Sequence, residues 1–336
     1  MSTMCWRPAA TALCALLALV AGQFARADWY QDTRPIMGTR VHVELWHDDA
    51  ATAELLLAQT MAEMRRIEAA YSPYIEASDL SVLNREAPSG WVTVSAELFD
   101  LLRRSRQVSE LTGGAFDVTY ASVGRYYDYR AGKRPDPEQI RAAVEAIDYR
   151  YVEFDPDGPR VRYSHPDVYV DLGGIAKGYA VDRCVELLRR AGVSQASVAA
   201  GGDSYILGDH RGEPWTVGVR DPRQEGRMAA VLPLMDTAVS TSGDYERFFE
   251  EDGVRYHHIL DPDTGASARR SWSVTVLGPE TLFTDALSTS VFVLGPEAGL
   301  ALIDRLPGID AIVIDAEGRL RYSADLAPLV GAEPGR

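Results

Sequence analysis

Val168-Tyr169-Val170-Asp171-Leu172-Gly173-Gly174-Ile175-Ala176-Lys177-Gly178 is the stretch on which the reading of the fold turns. Its first five residues alternate and favour extended backbone, which predicts a strand over Val168 to Leu172. Gly173-Gly174 supplies a turn, and helical spacing from Ala176 to Arg190, closed by Gly192, predicts a helix. Gln195 to Ala200 reads as the next strand, so a local strand–helix–strand unit sits here. Downstream come short strands at Trp215 to Val219, Ala229 to Leu234, Ser273 to Leu277 and Ala311 to Asp315, and one helix from Asp285 to Val293. Upstream, Arg40 to Trp46 alternates as a strand and leads into a helix from Ala50 to Tyr71. A second helix, Ala96 to Leu111, stops at Thr112-Gly113-Gly114, and the loop Lys133 to Pro137 hands over to another. No internal repeat and no long linker interrupts the chain. The expectation is a single α+β domain, with helices clustered early and a mixed β-sheet later.

Composition narrows the function classes. With 336 residues, 46% hydrophobic and 25% charged, the chain is globular in character and large enough for a substantial core. The balance of 34 basic against 49 acidic residues, net −15, argues against a partner bound by bulk positive charge, nucleic acid or anionic membrane. An anionic ligand therefore needs a local site. Lys133 and Lys177 are the only lysines, which makes the one in the glycine turn conspicuous.

Met1 to Ala27 has the form of a cleaved signal peptide: Arg7, the apolar run Ala9 to Gly22, then Ala25-Arg26-Ala27 as a small-x-small cleavage site. The run is shorter than the ~20 residues of a spanning helix. Thr11-Ala12-Leu13 before Cys14 lacks the small residue that lipidation requires directly before the cysteine. The reading is an exported, periplasmic chain over residues 28–336, with net charge −17 once Arg7 and Arg26 are removed. Cys5 and Cys14 leave with the signal, so Cys184 stands alone on an amphipathic helix as a core residue and no internal disulfide forms.

Three stretches carry chemistry. The turn Asp171 to Gly178 joins a strand to a helix N-terminus, where backbone N–H groups and the helix dipole suit a phosphate. Lys177 in that first turn opposes the dipole unless an anion shares the space. The turn is neither a Walker A loop nor a Rossmann fingerprint. In Thr284-Asp285-Ala286-Leu287-Ser288-Thr289, Thr284 reads as an N-cap, and Asp285 and Thr289 share a helical face able to hold a hard cation with phosphate oxygens. A dipole partner at a helix start is the plainer reading of Asp285. In Tyr256-His257-His258-Ile259-Leu260-Asp261-Pro262, adjacent histidines on a strand face opposite ways, so only one can enter a given site; the plain reading is one exposed and one satisfied histidine, the functional one a single general base titrating near neutrality. Glycine–acid turns at Gly113 to Asp117, Gly201 to Asp203 and Gly243 to Asp244 complete the set.

Taken in order, Ile36-Met37-Gly38-Thr39, Tyr71-Ser72-Pro73-Tyr74, Gly114 to Thr119, Asp171 to Asp182, Ala200 to Asp203, Thr241 to Tyr245 and His258-Ile259-Leu260-Asp261-Pro262 resemble the ApbE family of FAD:protein FMN transferases. The resemblance implies a single flavin-transferase domain with its FAD site in a cleft between sub-lobes. It implies Mg²⁺-dependent transfer of FMN from FAD to a threonine hydroxyl of another exported protein, the FMN-binding domain of a redox protein, with AMP released. Membrane contact then comes only through that acceptor, and nucleic acid has no part. FAD contacts carry over to Met37, Tyr74, Ala115, Phe116, Asp117, Asp171, Lys177 and Ile259, metal contacts to Gly174, Asp285, Ser288 and Thr289, and the base to His258. Two alternatives use the same residues: an Mg²⁺-dependent FAD pyrophosphatase, and a non-catalytic periplasmic flavin-binding protein.

Overall fold

The computed structural model describes residues 27–326; apart from Ala27, the expected signal segment with Cys5 and Cys14 lies outside them. Eight strands form the main sheet and cross it in chain order. They are β1 (Asp28–Ile36), β2 (Thr39–His47), β3 (Ala196–Ala200), β4 (Asp203–Leu207), β5 (Thr237–Gly243), β6 (Ser271–Gly278), β7 (Asp310–Asp315) and β8 (Leu320–Tyr322). The α+β class is as expected, but the sheet is not mixed: each neighbouring pair is antiparallel. Even the long excursion between β2 and β3 returns the chain antiparallel beside β2. Three smaller sheets of two or three strands attach to this frame.

Helices lie along one face. α1 (Ala50–Tyr71) packs on β1 and β2, α3 (Ala176–Arg190) on β3 and β4, and α4 (Thr281–Leu294) on β5 and β6, while α2 (Ala96–Leu111) flanks α4. The period of two in β5 shows how the sheet divides the core: Ala238 joins the helix-side cluster, and Val239 joins Val219, Leu232, Leu277 and Ile312 beneath the hairpin 215–234. The expected helix limits for α1, α2 and α3 coincide with the observed ones. Cys184 is fully buried in α3, where its thiol points at the Thr60 carbonyl and burial pushes its pKa up, as befits a core residue. Among the described residues, no helix is long and apolar enough to cross a membrane.

Two local expectations are corrected. Val168 to Leu172 is extended but belongs to no sheet among the described residues. Its alternation is real, with Val168, Val170 and Leu172 buried. Its polar groups are answered singly instead of by a ladder. Tyr169 N donates to Ser122 Oγ at 3.0 Å, Val170 N to Asn84 Oδ1 at 2.9 Å and Asp171 N to the Val118 carbonyl at 2.9 Å, while Asn84 Nδ2 donates to the Val170 carbonyl at 2.8 Å. The strand–helix–strand unit therefore reduces to an extended segment, α3 and β3. The second correction concerns α4, which begins at Thr281 and not at Asp285. Its first N–H groups are capped from another helix: Asp182 of α3 accepts from Thr281 N and Leu282 N, both at 2.8 Å. Thr284, expected as the cap, lies inside the helix and bonds Ser240 Oγ at 2.8 Å.

Candidate active site

The close crossing of α3 and α4 brings the glycine turn and the Asp285 helix together. Gly178 permits it, because a Cβ there would lie 2.3 Å from the Thr281 carbonyl oxygen. Gly178 N donates to Asp285 Oδ2 at 3.0 Å, and Lys177 Nζ reaches both Asp285 oxygens at 3.3 Å. Lys177 also pairs with Asp203 Oδ2 at 2.6 Å. The anion that the lysine at a helix start demanded is thus first of all a pair of the chain's own carboxylates. Asp203 and Asp285 are both buried. Burial and the neighbouring Asp203 charge push the Asp285 carboxyl well above the usual range, against the pull of Lys177 and the Gly178 N–H. Two carboxylates facing one ammonium leave the cluster short of positive charge, a deficit that a divalent cation would offset.

Hydroxyls continue the row. Ser288 Oγ donates to the Asp285 carbonyl at 2.8 Å and lies 2.8 Å from Ser242 Oγ, which is itself 3.3 Å from Thr289 Oγ1. Gly174 stands opposite: a Cβ on it would meet Phe116 at 3.2 Å and Thr289 Oγ1 at 3.6 Å, so the absence of a side chain keeps this approach open. Gly174 thus comes beside Thr289, and Ser242 joins Thr289 to Ser288 on the helix that carries Asp285; carboxylate, hydroxyl and carbonyl oxygens are the donor types that suit Mg²⁺.

The two histidines differ in their partners. His257 is buried; its Nε2 donates to the Ala268 carbonyl at 2.7 Å, its Nδ1 accepts from Ile259 N at 3.3 Å, and burial lowers its pKa to about 4. His258 follows the strand's end, donating its N–H to the Arg247 carbonyl at 3.1 Å. Its Nδ1 is buried without a partner among the described residues. Burial, aided by the charges of Arg247 and Lys177, lowers its pKa to about 3, so the expected titration near neutrality gives way to an imidazole held neutral.

The remaining expected contacts divide. Asp171 accepts from Gly173 N at 2.7 Å, and burial raises its pKa against nearby Arg247 and Lys177. Ala115 and Ile259 share one apolar cluster, and Phe116 lies against Gly174. Met37 has φ +56° and is fixed by its N–H to Glu68 Oε1 at 2.7 Å. Tyr74 is 85% exposed, leaving its ring face free for stacking. Asp117 is buried and occupied locally, accepting from Thr119 N, Thr119 Oγ1 and Tyr149 N at 2.8, 2.6 and 2.7 Å. Asp203, Ser242 and Arg247 were absent from the expected site. Asp203 and Ser242 belong to glycine-bearing stretches already singled out, whereas Arg247 carries no sequence signal of its own.

A half-buried lysine between buried carboxylates, a row of hydroxyls and an imidazole nitrogen with no partner among the described residues are the groups of a group-transfer site. The chain belongs to the ApbE family, whose model matches residues 37–313. It is 34% identical to the FAD:protein FMN transferase of Treponema pallidum over 92% of this chain and 91% of that protein. The FAD:protein FMN transferase of Vibrio cholerae is 32% identical over 86% of this chain and 89% of its own length. Among solved structures, the ApbE protein of Thermotoga maritima superposes with TM-score 0.83 at 35% identity, covering 91% of this chain and all of its own. The apo flavinyl transferase ApbE of Pseudomonas stutzeri does so with TM-score 0.80 at 30% identity, over 91% and 98%.

Proposed function

We propose that the chain transfers FMN from FAD to a threonine hydroxyl of another exported protein in the periplasm, with Mg²⁺ as its metal. The observation that carries this reading is the pairing of Lys177 with Asp285 where the glycine turn's helix crosses α4, the helix that also bears Ser288 and Thr289, with a His258 imidazole nitrogen that has no partner among the described residues.

Asp285, Thr289, Ser288 and the Gly174 carbonyl would hold the cation, which when bound neutralises the diphosphate and the charge developing on AMP. Lys177 adds positive charge on the same side. His258, neutral at working pH, takes the hydroxyl proton as the threonine oxygen bonds to the FMN phosphorus and the bond to the AMP oxygen breaks. Tyr74 and the Ala115-Phe116 segment supply aromatic and apolar surface for the rings.

The test is incubation with FAD, Mg²⁺ and a candidate exported acceptor, read by intact mass and nucleotide analysis. AMP together with an acceptor heavier by one FMN supports transfer. AMP with free FMN and unlabelled acceptor identifies a pyrophosphatase, and bound FAD without turnover a flavin carrier. EDTA should abolish turnover, and Asp285→Ala should weaken the Mg²⁺ requirement's saturation more than Thr289→Ala, because a carboxylate binds a hard cation better than a hydroxyl does. Full activity in EDTA would remove the metal from this account.

A further inference from the structure

Beside the Met37-Gly38 turn a cleft of about 620 Å³ opens, lined by Arg34, Arg40 and Arg130 together with Thr33, Gly38 and Thr39 and by no acidic residue. In a chain of net charge −15 this is a local reversal of sign. Arg34 is paired with Asp32 at 2.7 Å, but among the described residues Arg40 and Arg130 have no carboxylate partner, and both are exposed. The cleft adjoins the catalytic segment. A Cβ on Gly38 would lie 3.3 Å from Arg247 Nη2, and the Arg247 carbonyl holds the His258 N–H. Thr33 and Arg34 belong to β1, the edge strand of the main sheet, whose outward main-chain groups have no strand partner among the described residues.

We infer that this cleft receives an acidic, extended stretch of the acceptor polypeptide and so delivers the hydroxyl-bearing chain to the His258 side of the site; the inference rests on the flavin-transfer reading above. Unpaired arginines answer carboxylates, and an open strand edge offers hydrogen bonds to an extended polypeptide. The flavin-transfer reading gives the diphosphate Lys177 as its cation, and Arg40 and Arg130 are then left for another anion.

The probe is a fluorescein-labelled peptide with one threonine between aspartates, and the same peptide with asparagines in their place. Both are titrated into the intact protein and into the Arg40→Glu, Arg130→Glu double variant, with FAD affinity and FAD turnover measured alongside. The aspartate peptide should bind the parent, weaken about tenfold on the double variant and weaken with added salt, while FAD affinity stays unchanged. The asparagine peptide should bind both proteins weakly. Equal binding of the two peptides, or equal binding by parent and variant, overturns the inference, and a parallel loss of FAD affinity overturns it by assigning the cleft to the nucleotide. Failure of the flavin-transfer reading looks different: the parent then turns over no FAD, whatever the peptides do.

Discussion

The His257 ring uses both nitrogens, Nε2 on the Ala268 carbonyl and Nδ1 on Ile259 N, whereas Nδ1 of His258 has no partner among the described residues. Replacing His258 by asparagine should lower the transfer rate by about 10²–10⁴-fold with little change in FAD affinity. Asparagine at His257 should keep the rate per folded molecule but cost about 1–3 kcal/mol of stability, since buried partners lose their bonds. Identical behaviour of the two variants would make His258 a packing residue. The pH dependence separates them again. Because the His258 pKa is lowered to about 3, transfer should not fall on its account between about pH 8 and pH 5; a half-loss centred near 6.5 would mean a solvated imidazole. For stability, folding depresses the His257 pKa from 6.5 to about 4. The folded chain keeps that ring neutral while the unfolded chain protonates it, so its contribution is complete above pH 6.5 and lost as pH falls toward about 4. In urea unfolding, the stability difference between parent and His257→Asn should therefore shrink from about pH 7 to about pH 5.

At the scale of elements, the site depends on how closely α3 and α4 cross. The Gly178 N–H to Asp285 bond at 3.0 Å and the Asp182 cap on Thr281 and Leu282 both span that crossing. Gly178→Ala places a methyl 2.3 Å from the Thr281 carbonyl oxygen and 2.8 Å from Asp285 Cβ, neither of which can swing aside as a side-chain tip could. The helices must separate, and the expected cost is about 1–3 kcal/mol, with a loss of activity in the fraction that remains folded as Asp285 leaves Lys177. Thermal unfolding together with Mg²⁺ dependence checks this; a variant of unchanged Tm and activity would mean that the crossing is adjustable. The same contact explains the missed start of α4. Its sequence offers Thr284 as the nearest local cap, while the actual cap comes from a helix far away in the chain.

For the whole molecule, the expected cleavage after Ala27 places Asp28 at the mature N-terminus, and Asp28 is also the first residue of β1, paired with His47. N-terminal sequencing of protein recovered from the periplasm should begin at Asp28. Retention of Met1, or a lipid on Cys14, would overturn the export reading. Retention would also extend the chain directly from the edge strand that borders the arginine-lined cleft.

What residue order determined by itself was whatever depends on near neighbours. The limits of α1, α2 and α3 follow from apolar periodicity and stop signals. The ordered motifs, from Ile36 to Pro262, likewise identified the family without coordinates. Tertiary structure decided what depends on groups far apart in sequence. It made the alternating Val168 to Leu172 a lone extended segment, because Asn84, Val118 and Ser122 answer its backbone. It also brought Asp203 to Lys177, and it set the His258 pKa through burial and the charges of Arg247 and Lys177. Periodicity records which side of an element is buried; only the packed chain fixes which polar groups meet there, since a desolvated group takes the partner within reach in space, not the nearest one along the sequence.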